Sequence, residues 1–255
     1  MATDRRRFFA SGLVAASGLA ACSKKTAPGT TTSAAASPTG PLHVFVVENG
    51  TLGQAGFSVG LLATRDPAAQ VLALATLRRQ TKFRTDLSFA STDRWKLKYL
   101  EPAFRHLAET ADLKPRMVTA AGFAAWDRQT DAKQRSAWFA LYHRLFESIP
   151  AAERAGMFVH LSRRSTGGNR DSRLVADLQT TLGQGVMVSL DGARFKDLVE
   201  LAGVVFGTVR YAAGPGRSKT KRRTVGLLKA ALKVPRLDAA SINAGGKLAV
   251  STMTL

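Results

Sequence analysis

Short apolar runs rich in β-branched residues alternate with helix-like segments along this 255-residue chain from residue 42 onward. Residues 42–48 (LHVFVVE) and 56–64 (GFSVGLLAT) predict two strands, and Asp66-Pro67 then supplies the N-cap and first-turn proline of a helix. Further strands are predicted at residues 116–121, 156–161, 185–190 and 247–253, and further helices at residues 93–111, 131–149, 174–182, 198–209 and 224–232. This alternation predicts an α/β domain, a mixed sheet with helices packed on both faces.

Three segments carry local expectations of their own. Pro102 lies inside the predicted helix 93–111 and is expected to kink or split it. Residues 198–209 (LVELAGVVFGTV) are apolar almost all round, which predicts a buried helix. The polar residues 165–171 are expected to form a loop.

The N-terminus has the composition of an export signal. A basic cluster that includes Arg5 and Arg6 precedes an uncharged stretch, residues 8–21, which is too short to span a bilayer as a helix. Paired arginines followed by Phe8, ahead of a mildly apolar stretch, are typical of a twin-arginine signal. We therefore predict a signal peptide of this type over residues 1–21, with a general secretory signal as the alternative.

The predicted signal ends in Leu-Ala-Ala-Cys, and Cys22 is the only cysteine of the chain. This ending resembles a bacterial lipobox, in which the cysteine thiol accepts a diacylglycerol. Residues 22–41 are rich in Ser, Thr and Pro and contain no aromatic residue, so they predict a flexible tether. The sequence thus predicts an exported lipoprotein, anchored to the bacterial envelope and facing the periplasm or exterior, with one folded domain at residues 42–255.

The charge balance is strongly basic. There are 37 Lys and Arg against 18 Asp and Glu, a net charge of +19, which favours anionic partners. Five of these cations crowd the segment RSKTKRR, namely Arg217, Lys219, Lys221, Arg222 and Arg223. They indicate a patch for a phosphate polyanion such as nucleic acid, or for anionic headgroups. A solvated loop between two helices is the alternative.

Several segments, taken in order, resemble the ribonuclease-H-like family known as domain of unknown function 3800. Its members open with a strand that ends in an Asp-Glu-Ser-Gly type turn, matched by residues 47–50, and continue with an apolar strand, matched by residues 57–62. Residues 83–89 loosely match an acidic segment, and residues 190–192 and 198–203 match a late Asp-Ser-Lys stretch and a helix. The resemblance spans the predicted domain and implies a ribonuclease-H-like fold.

The resemblance also implies a metal site, and this sequence departs from it. Hydrolases of this fold hold two Mg²⁺ with three or four carboxylates, because hard cations need oxygen ligands. The positions where the resembled family places acids are here Val47 in the first strand, Ser162 after the strand 156–161, and Gly203 in a late helix. Glu48 cannot simply replace an acid at Val47, since adjacent strand residues point to opposite faces of a sheet.

The acidic residues that remain as candidates for catalysis are Glu48, Asp86, Asp191 and Glu200, with Asp197 beside them. Their structural interpretation is a turn residue, a loop residue and, for Glu200, a buried carboxylate paired with an arginine. Our leading hypothesis is a non-catalytic domain that binds a polyanion or another envelope component, with no cofactor expected. The alternative is a nuclease or phosphodiesterase that uses the four residues with Mg²⁺ or Mn²⁺, and a purely structural envelope protein is a third possibility. The oligomeric state stays open.

Two other features are interpreted as structural. His160 lies in a predicted strand and is expected to be a satisfied core histidine rather than a general base. Trp126, Trp138, Tyr142 and Phe146 could form a stacking platform, but their helical spacing favours core packing.

Overall fold

The computed structural model describes residues 40–50, 56–121, 131–162, 168–183, 185–190 and 193–254. The residues Pro38–Leu255 form one compact unit. The predicted signal residues Arg5, Arg6 and Phe8 and the predicted lipidation site Cys22 lie outside the described residues, as do Trp126 and Asp191.

Within the described part of the chain, six strands form one mixed sheet: β1 His43–Asn49, β2 Ser58–Thr64, β3 Lys114–Ala121, β4 Phe158–Leu161, β5 Met187–Ser189 and β6 Ala249–Thr254. They lie in the order β5-β4-β1-β2-β3-β6. β2 pairs antiparallel with β1 and β3, whereas the other neighbouring pairs are parallel. The predicted α/β architecture with a mixed sheet is therefore confirmed.

The helices are α1 Pro67–Thr81, α2 Leu97–Glu109, α3 Asp131–Glu147, α4 Ala151–Arg154, α5 Gly168–Leu182, α6 Lys196–Ala212, α7 Lys219–Leu232 and α8 Ala239–Gly245. A short 3₁₀ turn, Ala193–Phe195, leads into α6. α1 begins as the sequence predicts, since Asp66 accepts a hydrogen bond from the Ala69 amide and Pro67 occupies the first turn.

Each face of the sheet carries its own apolar core. α1, α2, α6 and α7 pack on one face, toward which Phe45 and Val47 of β1 and Leu62 of β2 point. α3 and α5 pack on the other face, against Val44 and Val46 of β1. Alternate residues of β1 thus face opposite cores, as the period-2 geometry of a strand requires. We name these the α6 face and the α3 face.

Of the expectation that Pro102 kinks or splits its helix, the split is wrong, because α2 runs through Pro102 as one helix. Proline removes one backbone hydrogen bond. The buried stripe that includes Leu100, Phe104 and Leu107 packs on the α6 face and keeps the helix together.

Parts of two segments are helical where the sequence suggested a loop, residues 168–171 of the predicted loop and residues 219–223, for which a loop was the alternative interpretation. α5 begins at Gly168, inside the predicted loop 165–171. α7 begins at Lys219, so most of the basic segment 217–223 lies in the first turns of a helix rather than in a loop. Ser218 is its N-cap, and its side chain accepts from the Lys221 amide.

The structural interpretation of His160, Trp138, Tyr142 and Phe146 is confirmed, since all four are buried, whereas Trp126 lies outside the described residues. His160 is 8% exposed, stacks on Phe45 and lies 3.1 Å from His43 between ring nitrogens, one of which donates to the other. Trp138 and Tyr142 are buried on the α3 face.

Two half-buried histidines make the stability of the domain depend on pH. Burial, and to a smaller extent Arg194, lowers the pKa of His43. Burial, reinforced by Lys247 and opposed by Glu109, lowers the pKa of His106. The unfolded chain therefore binds more protons, so the free energy of unfolding should fall as the pH drops below about 6.5. Urea unfolding at about pH 7.5 and about pH 5.5 checks this, and an unchanged midpoint would contradict it.

Candidate functional site

A cavity of about 960 Å³ opens at the carboxyl ends of β1 and β4. Its walls come from the end of β1, the residues after β4, one side of α6, the segment 87–90 and the turn between α6 and α7. β1 and β4 are parallel neighbours, so both end at the same edge of the sheet. This is where α/β sheets most often bind ligands.

The three positions where the resembled family places acids meet in this cavity. Val47, Ser162 and Gly203 all line it. The Ser162 amide donates to the carbonyl of Val46, which continues the β1–β4 pairing and sets Ser162 beside Val47. Around Gly203 an added Cβ would meet nothing within 4 Å. Because none of the three is acidic, these residues do not fit a pair of Mg²⁺ ions.

Glu48 also lines the cavity, but its carboxylate is held from the α3 face. Glu48 Oε1 accepts hydrogen bonds from Trp138 Nε1 and from the Tyr142 hydroxyl, each at 2.7 Å. Val47 next to it packs in the core of the α6 face. As predicted for adjacent strand residues, the side chains of Val47 and Glu48 therefore point to opposite faces of the sheet.

Glu200 is bound into an ion-pair network on the α6 face. Its side chain is only 11% exposed, and Oε2 accepts from Arg78 Nη2 at 2.5 Å and from the Leu87 amide at 3.1 Å. Arg78 also donates through Nε to Asp197 at 2.7 Å. Burial raises the pKa of Glu200, while the Leu87 amide, Arg78 and Lys196 oppose that rise. The interpretation of Glu200 as a buried carboxylate paired with an arginine is thus confirmed, and the arginine is Arg78.

Asp86 joins this network at its exposed edge through Lys196, whose Nζ also lies 3.8 Å from Glu200 Oε1. The Asp86 side chain is 78% exposed and accepts a hydrogen bond from Lys196 Nζ at 2.5 Å, which lowers the pKa of Asp86. Asp191, the fourth candidate acid, lies outside the described residues. Among the residues that the structure describes, no three His, Cys, Asp or Glu side chains form a group able to hold a metal ion.

Two cations complete the cavity wall. Arg210 lies against the backbone of Gly50 and Gly56, both at positive φ, and a Cβ at Gly50 would come within 2.9 Å of its Cζ. Glycine at these turns therefore lets the guanidinium lie close to the main chain. Lys221 Nζ lies 5.1 Å from the ring centroid of Phe89, a cation–π contact that fixes the ammonium at the rim.

The basic segment continues this positive surface outside the cavity. Arg217, Lys219, Arg222 and Arg223 are all exposed, and we call these four residues the α7 cluster. In the described part of the chain none of the four pairs with a carboxylate, and the first turn of α7 contains no acidic residue. Helix N-termini carry partial positive charge and normally attract acidic side chains. Cations added there repel one another, and a bound anion would relieve that repulsion.

Arg210 is the cavity residue that the sequence interpretation missed. Glu200, Gly203, Gly207 and Arg210 recur every three or four residues along α6, which places them on one side of the helix. The spacing alone could have placed Arg210 on the same side of the helix as Glu200, but the segment was interpreted only as an apolar, buried helix.

No protein-family model, no curated protein and no solved structure matches the chain. None of the helices in the described ranges has the length and apolar character needed to span a membrane.

Proposed function

We propose that this chain is an exported, lipid-anchored protein whose ribonuclease-H-like domain binds a phosphate-bearing polyanion without cleaving it. One observation carries the proposal. The three positions where the resembled family places acids meet in one cavity as Val47, Ser162 and Gly203, and the charges added there include the cations Arg210 and Lys221. The two carboxylates of the cavity, Glu48 and Glu200, already accept hydrogen bonds from Trp138, Tyr142 and Arg78. The two cations therefore attract phosphate groups more than the carboxylates attract a divalent cation.

The sheet supports the ribonuclease-H-like part of the proposal. From β3 the strands follow the order β3-β2-β1-β4-β5, with β2 alone running antiparallel to the others, which is the arrangement of that fold. β6 extends the sheet beside β3. Helices pack on both faces, and the cavity lies where parallel strands end.

The charge distribution supports the choice of ligand. The α7 cluster follows the turn that lines the cavity, so cations run from the cavity rim onto the helix. Phosphates bind such surfaces through arginine and lysine contacts and helix N-termini, and binding releases condensed counterions. The ligand chemistry is that of a phosphodiester or polyphosphate chain.

The export and the anchor are part of the same proposal. They rest on Arg5, Arg6, Phe8 and Cys22, and on the composition of the tether at residues 22–41. A chain of 20 residues spans at most about 70 Å, so the domain would stay near the membrane that holds the lipid.

A metal-dependent nuclease or phosphodiesterase is the second candidate. Glu48 and Glu200 do line one cavity, which is the observation that favours it. Against it, Glu48 is held by Trp138 and Tyr142, and Glu200 by Arg78. A cation would have to compete with these hydrogen bonds.

The experiment is a fluorescence anisotropy titration of a labelled single-stranded DNA oligonucleotide with the chain that carries Cys22→Ser, which cannot be acylated. We expect binding that weakens steeply between about 50 and about 200 mM salt, because phosphate contacts release counterions. Inorganic polyphosphate should compete, since the phosphates carry the contact. An affinity that does not change with salt concentration would contradict the proposal.

The same mixtures, run on a denaturing gel after incubation with EDTA or with Mn²⁺, separate binding from cleavage. We expect the oligonucleotide to stay intact in both. Cleavage that requires Mn²⁺ would overturn the proposal in favour of the second candidate.

A further inference from the structure

Trp95 is the most exposed large apolar side chain in the described residues, at 76%. Leu72 and Met187 are the others, at 64% and 59%. An indole ring carries more apolar surface than either, and Trp is usually largely buried. Trp95 belongs to neither apolar core, so its ring is available to a partner outside the domain.

The segment that carries Trp95 is well fixed by its own contacts. Asp93 Oδ1 accepts from the amides of Trp95 and Lys96, and Lys96 Nζ donates to Ser91 Oγ at 2.8 Å. Immediately after it, Tyr99 and its neighbours anchor α2 in the core of the α6 face. The ring therefore projects from a closed turn at the start of a packed helix.

Cations flank the ring. Arg94 and Lys98 are both exposed, and Lys98 Nζ lies 5.6 Å from the centroid of the Trp95 ring. The nearby carboxylate of Asp93 accepts two backbone amides. The turn thus combines one large amphipathic ring with the exposed positive charges of Arg94 and Lys98.

This combination fits an anionic lipid surface better than a protein partner. Protein interfaces need a contiguous patch with an apolar centre, whereas Trp95 stands among charged residues. Tryptophan prefers the boundary between headgroups and acyl chains, and lysine and arginine next to it are attracted to anionic headgroups. The anchor proposed above would hold the domain within reach of such a surface, so a weak contact would suffice.

We propose that the turn at residues 91–98 docks on an anionic bilayer, with Trp95 entering the headgroup region and Arg94 and Lys98 against the lipid phosphates. None of the residues 91–98 lines the cavity, although the segment 87–90 just before them does. This docking tip rests on the proposed lipid anchor and does not depend on the polyanion site.

The test uses residues 22–255 with Cys22→Ser, which retain both apolar cores and carry no signal peptide or acyl chain. Vesicles are made of phosphatidylcholine alone or of phosphatidylcholine and phosphatidylglycerol in equal parts. We expect sedimentation with the anionic vesicles, a blue shift of tryptophan emission, and quenching by brominated acyl chains. Trp95→Ser should lower the partition coefficient about tenfold and remove the shift, while Trp95→Phe retains part of the binding.

Met187→Ser is the matched control, because it removes an exposed apolar side chain from the edge strand β5 and should leave partitioning unchanged. The proposal is overturned if the parent chain shows no blue shift on anionic vesicles, or if Trp95→Ser binds them as well as Met187→Ser. Loss of vesicle binding on removal of the α7 cluster alone, with Trp95→Ser without effect, would overturn it too. In each of these cases the oligonucleotide titration still decides the polyanion site by itself.

Discussion

Replacing the four cations of the α7 cluster by glutamine is expected to weaken oligonucleotide binding and to remove a factor of roughly fifty from the loss of affinity between about 50 and about 200 mM salt. Each phosphate neutralised on a single strand contributes about −0.7 to the slope of log K against log salt, so four contacts contribute about −2.8. Lys221 is left in place because it packs on Phe89, and its loss would disturb the cavity rim. The folded domain should be unaffected, since exposed substitutions of this kind change stability by about 0.5 kcal/mol or less each.

The control removes the same number of cations from helices that do not line the cavity. Lys133, Arg144, Arg154 and Arg173 lie on α3, α4 and α5, away from the cavity. Their replacement by glutamine lowers the net charge equally. We expect this control to keep most of the affinity and of the salt slope. Equal losses in both variants would mean that net charge alone drives binding, and the polyanion site would be refuted.

Arg78→Met is expected to destabilise the domain by about 3–5 kcal/mol, the range for a buried ion pair that loses one partner. Arg78 is 16% exposed and donates to Asp197, to Glu200 and to the carbonyl of Thr85. Methionine fills similar volume but leaves both carboxylates without the guanidinium. Urea unfolding at neutral pH gives the change in the free energy of unfolding.

Arg79→Met is the matched control, one residue further along α1. Arg79 is exposed and, among the described residues, its side chain donates to Thr76 alone, so its loss should change stability by about 0.5 kcal/mol or less. Adding Glu200→Gln to Arg78→Met should restore part of the lost stability, because it removes one stranded buried charge. Should Arg78→Met prove as mild as Arg79→Met, Glu200 would not be held as a structural carboxylate.

The elements and the orientation of single residues could be predicted, because they depend on local periodicity. The alternation along β1 correctly predicted that Val47 and Glu48 point to opposite faces of the sheet. The helical spacing along α3 correctly predicted that Trp138 and Tyr142 are buried. The start of α7 was missed although Ser218 is a typical N-cap. The run of cations masked it, since like charges in a first turn are unfavourable and favour a loop interpretation.

The cavity itself could not be derived from local pattern. Val47 and Ser162 lie next to each other only because β4 pairs with β1, a contact between residues far apart in sequence. The identity of the cation that pairs with Glu200 likewise depends on the packing of α1 on α6. This packing places Arg78 next to Glu200. Trp95 lies in the turn before α2, so the apolar stripe of that helix does not orient its side chain.

Under the proposed function, the cavity at the ends of β1 and β4 receives phosphate and not a pair of divalent cations. This is tested most directly by anomalous diffraction from crystals grown with both Mn²⁺ and a short oligonucleotide. We predict a phosphate within hydrogen-bond distance of Arg210 or Lys221, and no Mn²⁺ peak among the residues that line the cavity. Two Mn²⁺ ions bound by Glu48 and Glu200 would contradict the account.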